Sequence, residues 1–323
     1  MFPWSAPPEP LRFDRFMAAA LHDPSQGYYA RRIRDVGARG DFSTTATLSP
    51  ALGTAIADWA VGAMAATDCR DLIELGPGSG ELASTVLRNL PWHRRLRIRL
   101  HLVESSAPLR KLQQERLGSR VRFHETAAEA LAACDGKACL YSNEFADAFP
   151  VRRFRREKEG WHECHLLPGE ELWRATERLP DSTLFERSFP VGQIIEVAEA
   201  YHDWLDESLA RWKAGRMLTI DYGSQVADLY RRQPGGSVRA YFHHQHLTGA
   251  EAFARPGHQD LTADVNFSDL ARWSSPYARQ LRLITQREFL LPHIRPNEAA
   301  DRHSVDEHGA GHAFLVSELE ALT

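Results

Sequence analysis

Residues 71–80 read Asp71-Leu-Ile-Glu74-Leu-Gly76-Pro-Gly78-Ser-Gly80, an apolar run that closes on an acid and passes into a glycine-rich turn. Glu81 to Leu90, directly after it, has the composition of a helix. Strand, tight loop and helix in that order let a backbone approach a nucleotide-like ligand, because a side chain at the glycine positions would stand in the way. The dinucleotide fingerprint Gly-x-Gly-x-x-Gly would place its third glycine at position 81, where this chain has Glu81. A carboxylate at that helix start suits the dipole but repels a pyrophosphate held over it. Glu74, two residues before the first glycine, aims another anion at the same pocket. A cationic ligand without phosphate is the better match, and S-adenosylmethionine, with its sulfonium and ammonium, is such a ligand.

A second acid supports that reading. Residues 96–103 (Leu-Arg-Ile-Arg-Leu-His-Leu-Val) alternate as a strand does and lead into Glu104-Ser-Ser. An acid at the end of the second strand can accept both ribose hydroxyls. The alternative is that Glu104 caps the helix beginning near Ala107, although Asp or Ser is the commoner cap.

Composition sets the outer bounds. At 323 residues and 43% hydrophobic content, the chain can bury one large core or two modest ones. The net charge of −4, from 39 basic and 43 acidic residues, offers no overall argument for nucleic acid or an anionic membrane. Cys69, Cys134, Cys139 and Cys164 form neither a Cys-x-x-Cys pair nor a zinc spacing, and read as reduced residues with no metal role. The opening Met-Phe-Pro-Trp-Ser-Ala-Pro-Pro-Glu-Pro lacks a basic-then-apolar leader. Ala51 to Ala66 is apolar but interrupted by Asp58 and too short to span a bilayer. These features predict a soluble, cytoplasmic protein.

Strands alternating with helices predict an α/β chain with a doubly wound, mostly parallel sheet. Helices are expected at Leu11–Leu21 and Ser49–Met64. The strands are expected at Leu72–Leu75, 96–103, Val121–His124, Ala138–Ser142 and Arg216–Ile220, with a helix at 127–133 and a last strand at Ala313–Val316. Extra material at about 151–215 (a hairpin at 151–157 and 160–167, then a helix at 198–213) and at 224–267 is expected to build the substrate side. On this reading residues 1–66 form an N-terminal helical lid, and 67–323 the ligand-binding domain with those insertions. The stretch with His303, His308 and His312 reads as loop.

Asn143-Glu144-Phe-Ala-Asp147-Ala-Phe-Pro150 follows the fourth strand directly, setting an amide and two carboxylates across from the glycine loop. A helical turn over 144–148, ended by Pro150, would put Glu144 and Asp147 on one face. A helix cap with an acidic first turn would produce the same pattern without catalysis.

Over roughly Leu11 to His293 the chain resembles the MidA-like family, whose mitochondrial member is an arginine methyltransferase needed for assembly of respiratory complex I. The motifs are Asp23-Pro-Ser-Gln-Gly-Tyr-Tyr29, Gly40-Asp41-Phe-Ser-Thr44, Glu74-Leu-Gly-Pro-Gly-Ser-Gly80 and Asn143-Glu-Phe-Ala-Asp-Ala-Phe-Pro150. Asp221-Tyr-Gly223, Pro256-Gly-His-Gln-Asp-Leu-Thr262, Val265-Asn-Phe267 and Gln286-Arg-Glu-Phe-Leu290 complete the series. The family commonly has Asp where Asn266 stands, and often a longer C-terminal region.

The resemblance implies a class I methyltransferase fold, Rossmann-like, with S-adenosylmethionine as cofactor and a protein arginine as acceptor; the alternatives are a small molecule or another side chain as acceptor, or a catalytically silent assembly scaffold on the same fold. Cofactor contacts fall to Glu74, Gly76, Gly78, Gly80 and Glu104, with Asp41 and Thr44 closing over the methionine end. It assigns the acceptor's grip to Glu144, a second acid to Asp147 or Asp260, positioning to Asn143, and a pocket lining to Asp221-Tyr222-Gly223. Three further features carry blander readings. Tyr241 to His246 lacks a companion cysteine or acid pair and is a weak metal candidate. The run Arg152, Arg153, Arg155 and Arg156 reads as a solvated edge strand. Trp59, Tyr28 and Tyr29 read as packing around the N-terminal helices.

Overall fold

β1 (Asp71–Leu75) is buried along its whole length, as a strand covered on both faces must be. In the computed structural model, which describes residues 9–31, 50–231, 233–242, 245–295, 298–306 and 309–322, it lies inside a sheet of mostly parallel strands. The others on the sheet's main path are β2 (Arg99–Val103), β3 (Val121–His124), β4 (Ala138–Asn143), β5 (Arg216–Ser224), β6 (Ala278–Thr285) and β7 (Phe314–Ala321). Their order across the sheet is β3-β2-β1-β4-β5-β7-β6. Pairings among β1 to β5 are parallel, whereas β7 runs antiparallel to both β5 and β6. The chain reverses its direction of progress across the sheet between β1 and β4. In open α/β sheets the crevice beyond the strand carboxyl ends at that switch is where ligands bind.

The chain divides into two compact units. The first to be described holds the sheet: residues 50–145, Leu205–Tyr222 and Ala271 onward. Helices α1 (Pro50–Thr67), α2 (Glu81–Asn89), α3 (Ala107–Leu117) and α4 (Ala127–Ala133) belong to it. α1 is alanine-rich and buries Leu52, Ile56, Ala60, Ala63 and Met64 with Leu72, Val86, Leu218 and Val316 in one core. Thr126 caps α4, its hydroxyl accepting the Glu129 N–H at 3.2 Å.

The second unit comprises the N-terminal helix, Ala146–Trp204 and Gly223–Leu270. Helix Phe13–His22 buries Phe13, Phe16, Met17, Ala20 and Leu21, the i, i+3, i+4, i+7, i+8 stripe of a helix with one apolar face. Cys164, Leu166, Ala240 and Leu261 complete its core. The expected hairpin is present as Arg152–Glu157 and Gly160–Leu167, and Glu170–Thr176 extends it by a further strand. Asp260–Thr262 joins Arg239–Phe242 and Gln245–Thr248 in a small antiparallel sheet.

Several expectations change here. The arginine run is not an edge, because Arg152–Glu157 is paired on one side with Gly160–Leu167 and on the other with Ile194–Val197. Arg152 and Arg153 are buried, and each is held by two carboxylates: Arg152 by Glu163 at 2.7 Å and Glu199 at 3.2 Å, Arg153 by Glu171 at 2.7 Å and Glu196 at 3.3 Å. Paired and hydrogen-bonded in this way, a guanidinium tolerates removal from water. The C-terminal histidine stretch is not plain loop: Ala299–Ser304 and Ala310–Ala313 are short helices, and His308 lies outside the described residues. Trp59 belongs to the sheet unit, where its indole N–H donates to Glu318 at 2.9 Å, while Tyr28 and Tyr29 pack edge to face in the other unit.

Candidate active site

The carboxyl ends of β1, β2 and β4 gather Glu74, the glycine turn, Glu104, Asn143 and Glu144 in the sheet unit. Glu74 is opposite Tyr141 in the β1–β4 register, and the Tyr141 hydroxyl donates to Glu74 Oε2 at 2.9 Å. Burial pushes the Glu74 carboxyl up to about 8, against a small opposing pull from that hydroxyl. A buried acid held by a single phenol is a poor resting place for a negative charge and a good one for a cation's partner.

Beyond Glu74 the chain turns sharply. Gly76 (φ +62°) donates its N–H to Val103 O at 3.2 Å, and a Cβ there would come within 2.7 Å of the Phe145 ring. Gly78 (φ +52°) is different, since a Cβ on it would meet nothing within 4 Å. The space beside it is open, as close approach by a ligand requires. Gly80 starts α2, with Glu81 in its first turn and Arg116 3.6 Å from Glu81.

Glu104 does not cap α3, which has no side-chain capping bond. Its Oε1 accepts the Ser106 N–H at 2.8 Å. Burial raises its carboxyl to about 7, with the Ser106 N–H and Gln113 pulling the other way. Gln113 ties the two halves together, donating to Gly78 O at 2.7 Å and reaching Glu104 Oε2 at 3.4 Å. Its own Oε1 is buried without a partner among the described residues, an acceptor left for a ligand's donor.

Asn143 and Glu144 depart from the expected helical turn. Glu144 has φ +52°, a left-handed backbone costly for a residue with a side chain. The short helix is only Ala146–Ala148, so Glu144 and Asp147 share no helical face. The Glu144 conformation is fixed from both sides: its N–H donates to Ile220 O at 3.0 Å, and the next N–H, of Phe145, donates to Asp221 Oδ2 at 3.0 Å. Asp221 is fully buried and also accepts the Tyr222 N–H at 2.9 Å. Asn143 Nδ2 donates to Glu144 Oε1 at 3.1 Å, and Asn143 Oδ1 is buried without a partner among the described residues.

Asp147 and Asp260 lie in the second unit, around Tyr29. The Tyr29 hydroxyl donates to Asp260 Oδ1 at 3.3 Å. Burial, and then the charges of Asp260 and Asp147, push the phenol well above its ordinary range. Asp147 is raised to about 7 by burial, while Arg239, itself paired with Asp264, draws it down. Sequence reasoning assigned Tyr29 to packing, which its ring does against Tyr28, but no local pattern marked the acid 231 residues away that its hydroxyl meets. Asp41 and Thr44 lie outside the described residues.

One set of metal-ligating side chains meets among the described residues: Asp71, His101 and Cys134, all buried at the opposite, amino end of the sheet. Asp71 is occupied there by Arg99 and by His101 Nε2 at 2.9 Å, and His101 Nδ1 is 2.9 Å from His124 Nε2. Reading along the chain could not find it, because its members are some thirty residues apart on neighbouring elements.

Residues 55–282 match the model of a family described as "Putative S-adenosyl-L-methionine-dependent methyltransferase". Among curated proteins, the zebrafish (Danio rerio) mitochondrial protein arginine methyltransferase NDUFAF7 is 30% identical over 87% of this chain and 72% of its own length. The human protein of that name is 26% identical over 87% and 69%. A Burkholderia thailandensis crystal structure with S-adenosyl-homocysteine bound superposes with a TM-score of 0.85 at 26% identity, covering 96% of this chain and 88% of that one. These curated relatives are named mitochondrial, which overturns the cytoplasmic expectation. With the strand order, the acid-flanked glycine turn and the match over 55–282 in agreement, the chain belongs to this family of S-adenosylmethionine-dependent methyltransferases.

Proposed function

We propose that this methyltransferase acts on an arginine guanidinium of a partner protein. The observation that carries the reading is Glu144, held in a left-handed backbone at the end of β4 with Asn143 bonded to its carboxylate. It is supported by the relatives named protein arginine methyltransferases. Bound S-adenosylmethionine supplies an electrophilic methyl on a cationic sulfur. An arginine side chain is protonated and has no ready lone pair, so the protein must orient one nitrogen and take up the proton that leaves it. Glu144 grips the guanidinium through its N–H groups and aligns one nitrogen with the methyl carbon. The proton shed by that nitrogen would pass to a carboxylate of the site or to water. Asp147 or Asp260 is the second acid, and Asn143 orients Glu144. Glu74, Gly76, Gly78, Gly80 and Glu104 hold the cofactor, and Asp41 and Thr44 are assigned to its methionine end.

The test is incubation with methyl-labelled cofactor and arginine-containing polypeptides, followed by hydrolysis and analysis for methylarginines. Label in methylarginine, lost on Glu144→Gln while cofactor binding persists, is the expected outcome. Label confined to metabolites would replace the acceptor assignment. Transfer that survives Glu144→Gln would remove the proposed grip.

A further inference from the structure

Between α2 and β2 the chain reads Pro91-Trp-His-Arg-Arg-Leu-Arg97, and every one of these residues is exposed. Trp92 is 71% and Leu96 77% exposed, the two highest values among the large apolar side chains described. Trp92 starts the single helical turn Trp92–Arg95, and Leu96 continues it in helical geometry. Spaced i, i+4, the two side chains stand on one side of that turn. Isolated exposed apolar residues are ordinary, but an adjacent tryptophan and leucine at this exposure are not.

The charged side chains of the turn itself are all of one sign. Arg94, Arg95 and Arg97 have no carboxylate at ion-pair distance among the described residues, and neither do Arg120 and Arg122 at the amino end of the adjacent β3. Only Arg99 is neutralised there, by Asp71. In a chain whose total charge is −4, this is a local concentration of unpaired positive charge that the overall balance conceals.

We infer that this turn docks the protein on an anionic lipid bilayer. Arginines flanking an indole and a leucyl side chain are complementary to a phosphate-rich interface, with the indole seated at headgroup level. The patch is one convex turn of helix. A stable protein interface needs about 800 Å² on each partner, whereas a bilayer needs no matching shape to accept two inserted side chains. The turn leads into the amino end of β2, and the cofactor-binding residues lie at the strands' carboxyl ends. Docking therefore leaves that end of the sheet unit turned from the lipid.

The experiment is co-sedimentation of the full chain with vesicles of pure phosphatidylcholine and of phosphatidylcholine mixed with phosphatidylglycerol. Binding to the anionic vesicles alone is expected. It should weaken about tenfold or more for Arg94→Glu/Arg95→Glu, and comparably for Trp92→Ala/Leu96→Ala. Cofactor affinity, unchanged in both variants, confirms that they are folded. No binding of the unmodified chain to anionic vesicles overturns the inference. So does anionic binding that ignores the Trp92/Leu96 exchange, or capture by soluble polyglutamate with none by vesicles, which would assign the patch to an acidic protein.

Discussion

On the proposed assignment of Glu74 to the cofactor, binding becomes a titration. Burial lifts its carboxyl to about 8, so in the ligand-free protein it is mostly protonated at neutral pH. A cationic ligand selects the ionised form. Between pH 6 and pH 8 the ionised fraction of such a group rises from about one in a hundred to one half, a gain of about fiftyfold in affinity, or about 2 kcal/mol. Glu104, raised to about 7, adds up to about tenfold over the same span if the ribose hydroxyls bond to its anion. At pH 7 the two groups would release about 1.4 protons per cofactor bound. Calorimetric titration with S-adenosylmethionine in buffers of different ionisation enthalpy reads both quantities.

The sign for stability is opposite. A carboxyl whose folded pKa lies above its unfolded one stabilises fully below the unfolded value, and that stability drains away as pH rises through about 8. The cofactor's thermal stabilisation should consequently be larger at pH 8 than at pH 6. Glu74→Gln should keep only the Glu104 part of the pH slope. An affinity flat from pH 6 to 8, or a full slope in Glu74→Gln, would refute the reasoning.

Three other outcomes are expected. Gly78→Arg should abolish cofactor binding in a protein that still melts cooperatively, since its stem enters open space and the backbone strain costs only about 1–2 kcal/mol; calorimetry and thermal melts together decide it, and intact binding would sink the loop assignment. Asp221→Asn weakens the grip on the Phe145 N–H, a bond to a charged acceptor contributing about 1.5–3 kcal/mol, and frees Glu144 to leave its left-handed backbone. Methyl transfer should slow about ten- to a hundredfold with cofactor affinity held within about twofold, and an unaltered rate would show that the loop needs no such lock. Arg153→Ala removes the counter-charge of the buried Glu196, leaving it the Tyr230 hydroxyl and the Ser237 N–H and hydroxyl as donors, and should cost about 3 kcal/mol in denaturant unfolding; a loss under about 1 kcal/mol would mean that those donors suffice to hold the carboxylate.

Local pattern carried the sheet unit well. Val121–His124 and Ala127–Ala133 fall where alternation and helix composition put them, because burial on known faces leaves a period in the sequence. β6 escaped notice because Ala278–Thr285 is largely exposed and mixes Arg, Gln and Leu without a clear period. Glu170–Thr176 was hidden for the same reason. The arginine run misled because its carboxylate partners come from Glu163 and Glu171 on neighbouring strands and from Glu196 and Glu199 further on. Charge in a sequence says nothing of a partner that only folding supplies. Likewise, the residue types at 143–147 announced a site, but the left-handed turn at Glu144 depends on Ile220 and Asp221, more than seventy residues away.

The place of β7 has a consequence for biosynthesis. Of the sheet's strands it is made last, yet it lies inside the sheet, bonded along Arg216–Tyr222 on one flank and Ala278–Thr285 on the other. Until it emerges from the ribosome, β5 presents a bare hydrogen-bonding edge and β6 has no neighbour on the sheet's main path. A nascent chain in that state is a template for pairing with the wrong strand. Translation stalled before Phe314–Ala321 should yield an aggregation-prone product instead of a smaller enzyme.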